Sequence, residues 1–188
     1  MSTIDKPRWK RFTAARYAPN FDLLSANSGE SVELAGLKHD RLLITFIPGV
    51  WAPWCRRFLR ELDRQTQQLS SEGVKCVAII AQNHEQLANY VKENKLRIEV
   101  LADTHGVIGK RYGVFDDNIT EPMRISRPAI FILNRENRLL FTFLGKHLMD
   151  RPDMEELYSK ATEIFPEDRT SIFERIFALF RRPNYANT

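Results

Sequence analysis

Cys55 is the residue of this 188-residue chain whose setting could support covalent chemistry. Leu42 to Ile47 reads as a buried strand, Pro48 ends it, and Gly49-Val50-Trp51-Ala52-Pro53-Trp54 leads to the cysteine. From Cys55 onward the apolar residues Phe58, Leu59, Leu62 and Leu69 fall close to helical spacing, which places the thiol in the first turn of an amphipathic helix. Unpaired N–H groups and the positive end of the helix dipole favour a thiolate there, and Arg56 and Arg57 add positive charge. A pKa one to several units below the ordinary value of about 8.5 is the expectation, and with it a nucleophilic sulfur. Cys76, inside the apolar run Val74-Lys75-Cys76-Val77-Ala78-Ile79-Ile80, reads instead as a core residue of a strand. Two cysteines are too few for a disulfide framework, and His39, His84, His105 and His147 are scattered. Neither a bound metal nor a cofactor is expected.

The elements that must position Cys55 alternate. Strand patterns at Leu42 to Ile47, Val74 to Ala81 and Arg97 to Leu101 are separated by helical patterns at Cys55 to Leu69 and Glu85 to Lys95, which predicts a parallel βαβ core. A shorter helix around Val107 to Tyr112 precedes two strands, Ala129 to Leu133 and Leu139 to Leu144, joined by the polar turn Asn134-Arg135-Glu136-Asn137. A closing helix is predicted from near Pro152 through Leu157 and Ala161 toward Ile164. Parallel βαβ followed by a hairpin and a helix is thioredoxin-like topology. The expected fold class is therefore α/β: a mixed central sheet flanked by helices, with a C-terminal amphipathic helix.

With 43% hydrophobic residues the chain can build a real core, and no apolar run approaches the roughly 18 residues of a membrane span. No apolar signal-peptide core follows the basic N-terminal residues, so the expected location is the cytoplasm. The net charge of +4 resides in one place: Lys6, Arg8, Lys10, Arg11 and Arg16 stand against Asp5. Residues 1–17 thus form a basic arm, interleaved with Trp9, Phe12 and Tyr17, for which a solvated or partly packed extension is expected and nucleic-acid binding is not. Residues 18–165 form the thioredoxin-like domain. In the tail, residues 166–188, Ile172, Phe173, Ile176, Phe177 and Phe180 line one face of a short helix. Packing onto this domain or onto a second subunit in a homodimer is the expected cover. Contact with a membrane surface is disfavoured by Glu174 and the short length.

The loop before Cys55 resembles the active-site loop of the peroxiredoxins, the alkyl hydroperoxide reductase and thiol-specific antioxidant family, whose motif is Pro-x-x-x-Thr/Ser-x-x-Cys. Pro48 and Cys55 match it, and Ala52 stands where the family has its hydroxyl. The segment is also similar to the Trp-Cys-Pro-x-Cys of redoxin-like relatives, read as Trp51-Ala52-Pro53-Trp54-Cys55 with the first cysteine lost. The likeness runs from residue 18 to residue 164. It includes Ala18-Pro19-Asn20-Phe21, Leu101-Ala102-Asp103, Tyr112-Gly113-Val114, Arg127-Pro128-Ala129-Ile130-Phe131, and the approach to the last helix at Asp150-Arg151-Pro152-Asp153. The resemblance of residues 18–34 adds an N-terminal β-hairpin extension to the expected α/β fold.

The resemblance implies a thiol peroxidase. Cys55 would be the peroxidatic nucleophile and become a sulfenic acid, which an external thiol, a thioredoxin-like or glutaredoxin-like protein or glutathione, would reduce. The family places an arginine on the strand facing the thiol, three residues before the strand phenylalanine. Arg127 stands four before Phe131, and Pro128 occupies the slot expected for that arginine. Thioredoxin-like relatives carry a cis-proline in this region, which Pro128 would match, leaving Arg127 in the preceding position as the candidate cation. Pro48 would shape the loop, while Trp51, Ala52, Pro53, Trp54 and Pro128 would wall the substrate pocket.

Two other readings stay open. Cys55 also matches the first cysteine of a thioredoxin-type Cys-x-x-Cys whose second position is Phe58, which would make a monothiol disulfide oxidoreductase. A non-catalytic thioredoxin-fold binding module would tolerate both Ala52 and Phe58. Pro48 favours the peroxidase over the first of these, and Ala52 favours the binding module over the peroxidase.

Overall fold

The computed structural model describes residues 9–14, 16–115 and 125–163. The C-terminal amphipathic helix read over 166–188 and the first eight residues of the basic arm lie outside the described residues.

Strand β4 (Arg41–Ile47) is the centre of the sheet because every one of its residues is buried, as the unbroken run Leu-Leu-Ile-Thr-Phe-Ile requires of a strand covered on both faces. It runs parallel to β5 (Val74–Ile80), which runs parallel to β6 (Glu99–Ala102); the crossovers are α1 (Pro53–Ser71) and α2 (His84–Asn94). On the other side β4 pairs antiparallel with β7 (Ala129–Asn134), and β7 with β8 (Leu139–Leu144). The opening hairpin β2 (Asp22–Ser25) and β3 (Ser31–Glu33) joins the far edge through β6. The eight-stranded order is β1-β8-β7-β4-β5-β6-β2-β3. This is the mixed α/β thioredoxin-like sheet expected from the sequence, with one addition. Residues Trp9–Arg11 form the edge strand β1 against β8, so the sheet starts inside the basic arm, before the boundary read at residue 18. Trp9, packed on Phe141 and Phe143, is the apolar anchor that draws the arm in.

Two apolar clusters sandwich the sheet. The larger gathers α1, α2 and α4 (Met154–Thr162) on one face, with Cys55, Phe58, Leu59 and Leu62 meeting Leu43, Ile47 and Phe143. The smaller, with Phe46, Tyr112 and Phe131 in mutual ring contact, lies beneath α3 (Val107–Arg111) and the 3₁₀ turn Leu34–Gly36. Buried polar groups are tied to element ends. Asp103 accepts hydrogen bonds from Ile108 and Gly109 N–H at 3.2 and 2.8 Å, and the Arg41 guanidinium donates to the last turn of α4 at Ala161 O, 3.0 Å. Helix α4 starts at Met154 with Asp153 as its cap, accepting from Glu156 N–H at 2.7 Å, rather than at Pro152. Pro152 precedes that cap in the loop, where it lines the cleft beside Cys55.

Candidate active site

Cys55 is the third residue of α1. Pro53 opens the helix, where its missing N–H is no loss and its fixed φ is already helical. Ala52 is the N-cap, extended at φ −88°, ψ 127°, and brings no side-chain acceptor to the first turn. Its methyl is fully buried, so the position where the peroxiredoxin motif carries a hydroxyl is filled by packing.

The thiol sits at the C-terminal end of β4, 4% exposed, beside a cleft lined by Pro48, Trp54, Phe58, Pro128, Leu148 and Arg151 among others. The cleft holds about 20 Å³, enough for one small polar molecule. Burial pushes the Cys55 thiol up from its ordinary value; the backbone N–H of Gly49, which donates to the sulfur, and the Arg151 guanidinium both work in the opposite direction without overcoming it. The depressed pKa read from the helix start is therefore corrected. Arg57 is turned outward to Glu61 at 2.9 Å, and Arg56 lies with Arg60 near Tyr90, so neither of the charges adjacent in sequence serves the sulfur.

Of the residues expected at the site, the cleft brings together Cys55, Pro48, Trp54 and Pro128. Trp51 is 44% exposed and lies outside it, edge-on to Trp54 at 6.2 Å and pressed against Gly49, where a Cβ would collide with the indole. Pro53 is on the surface. Arg127 does not line the cleft; its backbone N–H donates to Val114 O at 2.8 Å, on the way into β7. Among the described residues the cation at the thiol is Arg151, from the loop after β8. Gly145 starts that loop by approaching Pro128 so closely that a Cβ would meet two backbone carbonyls, at 2.7 and 2.9 Å. Asp150 closes it, accepting from Lys146 N–H at 2.8 Å. A further contribution comes from Gln82, whose Oε1 accepts from Val50 N–H at 3.1 Å and so ties the cysteine loop to the end of β5.

Cys76 is remote. It pairs in register with Leu43, while Ile47, at the cysteine end, pairs with Ile80; four residues of strand amount to about 13 Å. Burial pushes its thiol up to about 12. Among the described residues no group of three or more His, Cys, Asp or Glu could hold a metal ion.

The family model described as AhpC/TSA matches residues 14–141, which include the whole cysteine loop, α1, the strands β4 to β7 and the first half of β8. The chain belongs to the AhpC/TSA family. The relatives it resembles fall in two groups. A thiol-disulfide oxidoreductase ResA of Bacillus thuringiensis subsp. konkukian is 24% identical over 157 residues, 81% of each chain. The Peroxiredoxin Bcp of Escherichia coli is 26% identical over 104 residues, 55% of this chain and 66% of the relative. Among solved structures, the peroxidoxin BcpB of Mycobacterium tuberculosis superposes with a TM-score of 0.70 at 15% identity, over 80% of this chain and 97% of that one. A peroxiredoxin-like protein from Aquifex aeolicus gives 0.71 at 16% identity, over 83% and 90%. This AhpC/TSA member therefore shares its fold with peroxiredoxins and its relatives with both peroxiredoxins and thiol-disulfide oxidoreductases.

Proposed function

We propose that this protein is a thiol peroxidase that works through Cys55 alone. The observation that supports it is the pairing of one buried thiol with one guanidinium, Arg151, across a cleft of small-molecule size, while the other cysteine is buried four residues of strand away from the cysteine end of β4 and β5. The Cys55 thiolate attacks one peroxide oxygen and the O–O bond breaks, its electron pair leaving on the second oxygen. The leaving group takes up a proton as water or an alcohol, and the sulfur becomes a sulfenic acid. Arg151 stabilises both the thiolate and the charge that develops on the departing oxygen. An external thiol then displaces water from the sulfenic acid to give a mixed disulfide, and a second thiol frees Cys55 and leaves as the disulfide product. Glutathione or a thioredoxin-like or glutaredoxin-like protein suits this role.

A monothiol disulfide oxidoreductase is the second reading, favoured by the ResA relatives and by Trp51, an exposed indole on the cysteine loop, edge-on to Trp54, that a protein disulfide could dock on. Mass spectrometry after stoichiometric peroxide, with and without a sulfenic-acid trap, separates them. A peroxidase gives one added oxygen on Cys55, captured by the trap. A protein whose Cys55 stays reduced toward peroxide yet forms a mixed disulfide with oxidised glutathione belongs to the second class.

A further inference from the structure

On the face of the sheet opposite Cys55, a pocket of about 410 Å³ lies over β1, β8 and β7. Helix α3 has five residues and reaches the pocket only with its last residue, Arg111, so the rest of the covering is left to the coil after β1 and to Tyr112. The rows of the sheet fix the floor: Lys10 of β1 is the register partner of Thr142 of β8, which is the partner of Phe131 of β7. Phe12, Tyr17 and Tyr112 supply aromatic walls.

Three features of this pocket ask for a ligand. First, Lys10, Arg16 and Arg111 converge on it, and among the described residues no acidic side chain lines it and none of the three is paired with a carboxylate. Lys10 and Arg16 rest over the same Phe12 ring, at 5.0 and 5.9 Å from its centroid, which brings like charges together where an anion would relieve their repulsion. Second, Thr142 is 6% exposed and its hydroxyl has no hydrogen-bond partner, an uncommon state for a buried polar group and one that a ligand oxygen would remedy. Third, the volume and the aromatic walls suit a flat or chain-like apolar body rather than an inorganic ion.

We infer that this pocket binds an amphipathic organic anion: a monocarboxylate whose apolar body lies against Phe131, Phe12 and Tyr112 and whose carboxylate meets Lys10, Arg111 and the Thr142 hydroxyl. The site is independent of the thiol chemistry, since no residue lines both cavities.

Calorimetric titration with 2-naphthoate, against 2-naphthamide as its neutral counterpart, tests the assignment. The carboxylate binds at one site and the amide about tenfold or more weaker, because charge-assisted hydrogen bonds are lost. Lys10→Gln and Arg111→Gln each weaken naphthoate several-fold, whereas Arg57→Gln, on the other face, leaves it unchanged. Thr142→Val weakens binding while leaving the melting temperature of the ligand-free protein equal or higher, since it deletes an unsatisfied buried hydroxyl; Thr142→Ser retains binding. No binding of naphthoate at millimolar concentration overturns the proposal. So does equal binding of the amide, or indifference to both Lys10→Gln and Arg111→Gln.

Discussion

Arg151 and Cys55 line the same cleft from opposite ends of the domain's chain path, and the guanidinium draws the thiol toward ionisation where burial holds it back. The two neighbours that sequence proximity suggests, Arg56 and Arg57, are turned elsewhere. Among the described residues, charge at this sulfur thus comes from the loop after β8.

Arg151→Met keeps the apolar stem and deletes the charge. With the thiol already raised by burial, the neutral-pH protein holds only a minor thiolate fraction, and this variant lowers it further. Stopped-flow oxidation of Cys55 by peroxide at pH 7 should slow by roughly tenfold or more. The pH–rate curve of the parent should climb through the neutral range, about tenfold per unit below the thiol pKa, and that of the variant should lie to its alkaline side. Arg127→Met should change the rate less than twofold, since that side chain lines no part of the cleft. The reverse ranking would return the catalytic cation to Arg127.

Much of this was legible in the chain. The unbroken run of β4, the helical spacing of Phe58, Leu59 and Leu62, and the breaker at Pro48 locate the thiol at the start of α1, and the structure agrees to within two residues. The cation was not legible. Arg151 reaches the cleft of Cys55 because β8 returns antiparallel to β7, and because Gly145 packs against Pro128 where the loop begins. No local pattern encodes that meeting. The strand at Trp9–Arg11 was hidden for a similar reason: three residues carry too little periodicity to be read, and what recruits them is the edge of β8 together with Phe141 and Phe143. The thiol pKa was misjudged because helix-dipole reasoning ignores how completely the fold excludes water from Cys55.

Cys76 predicts an alkaline stability loss. Its folded thiol titrates near 12 and its unfolded thiol near 9, so the unfolded chain releases a proton first as pH rises. The contribution is fully present below pH 9 and declines between pH 9 and 12 by about 1.4 kcal/mol per unit. Urea melts of Cys76→Val across that window should show a shallower fall than the parent by about that slope. Parallel curves would mean that the buried thiol ionises in the folded state at little cost.

Gly49 couples the loop to Trp51. A Cβ at position 49 collides with the indole, and the N–H of the same residue is the donor to the Cys55 sulfur. Gly49→Ala should displace that N–H, raise the thiol pKa further and slow alkylation of Cys55 by iodoacetamide at neutral pH. Gly49→Ala with Trp51→Ala should recover most of the lost rate, because the obstruction is the indole. Failure of the double variant to recover would place the effect in the backbone at Gly49 rather than in the contact.

Ala52 is the place where the site can be tested by addition. It is the N-cap of α1, extended and without a side-chain acceptor, two residues before Trp54 and three before Cys55. A serine there adds one oxygen that can accept from the first-turn N–H groups, a cap worth about 0.5–2 kcal/mol, and its own proton is then free to point at the thiolate. Ala52→Ser should therefore raise the melting temperature by a few degrees and also speed oxidation of Cys55 by peroxide, with the pH–rate curve moved to the acid side. A gain in stability with no change in rate would assign the hydroxyl to the helix alone. Ala52→Cys probes the other lineage at the same atom position. Spacing of three at the start of a helix is that of a Cys-x-x-Cys pair, so the variant should close a disulfide between residues 52 and 55 and acquire insulin-reducing activity. If serine raises the peroxide rate and cysteine brings no disulfide exchange, the loop is a peroxidase loop lacking its hydroxyl; the opposite pair of results makes it a disulfide-exchange loop lacking its first thiol.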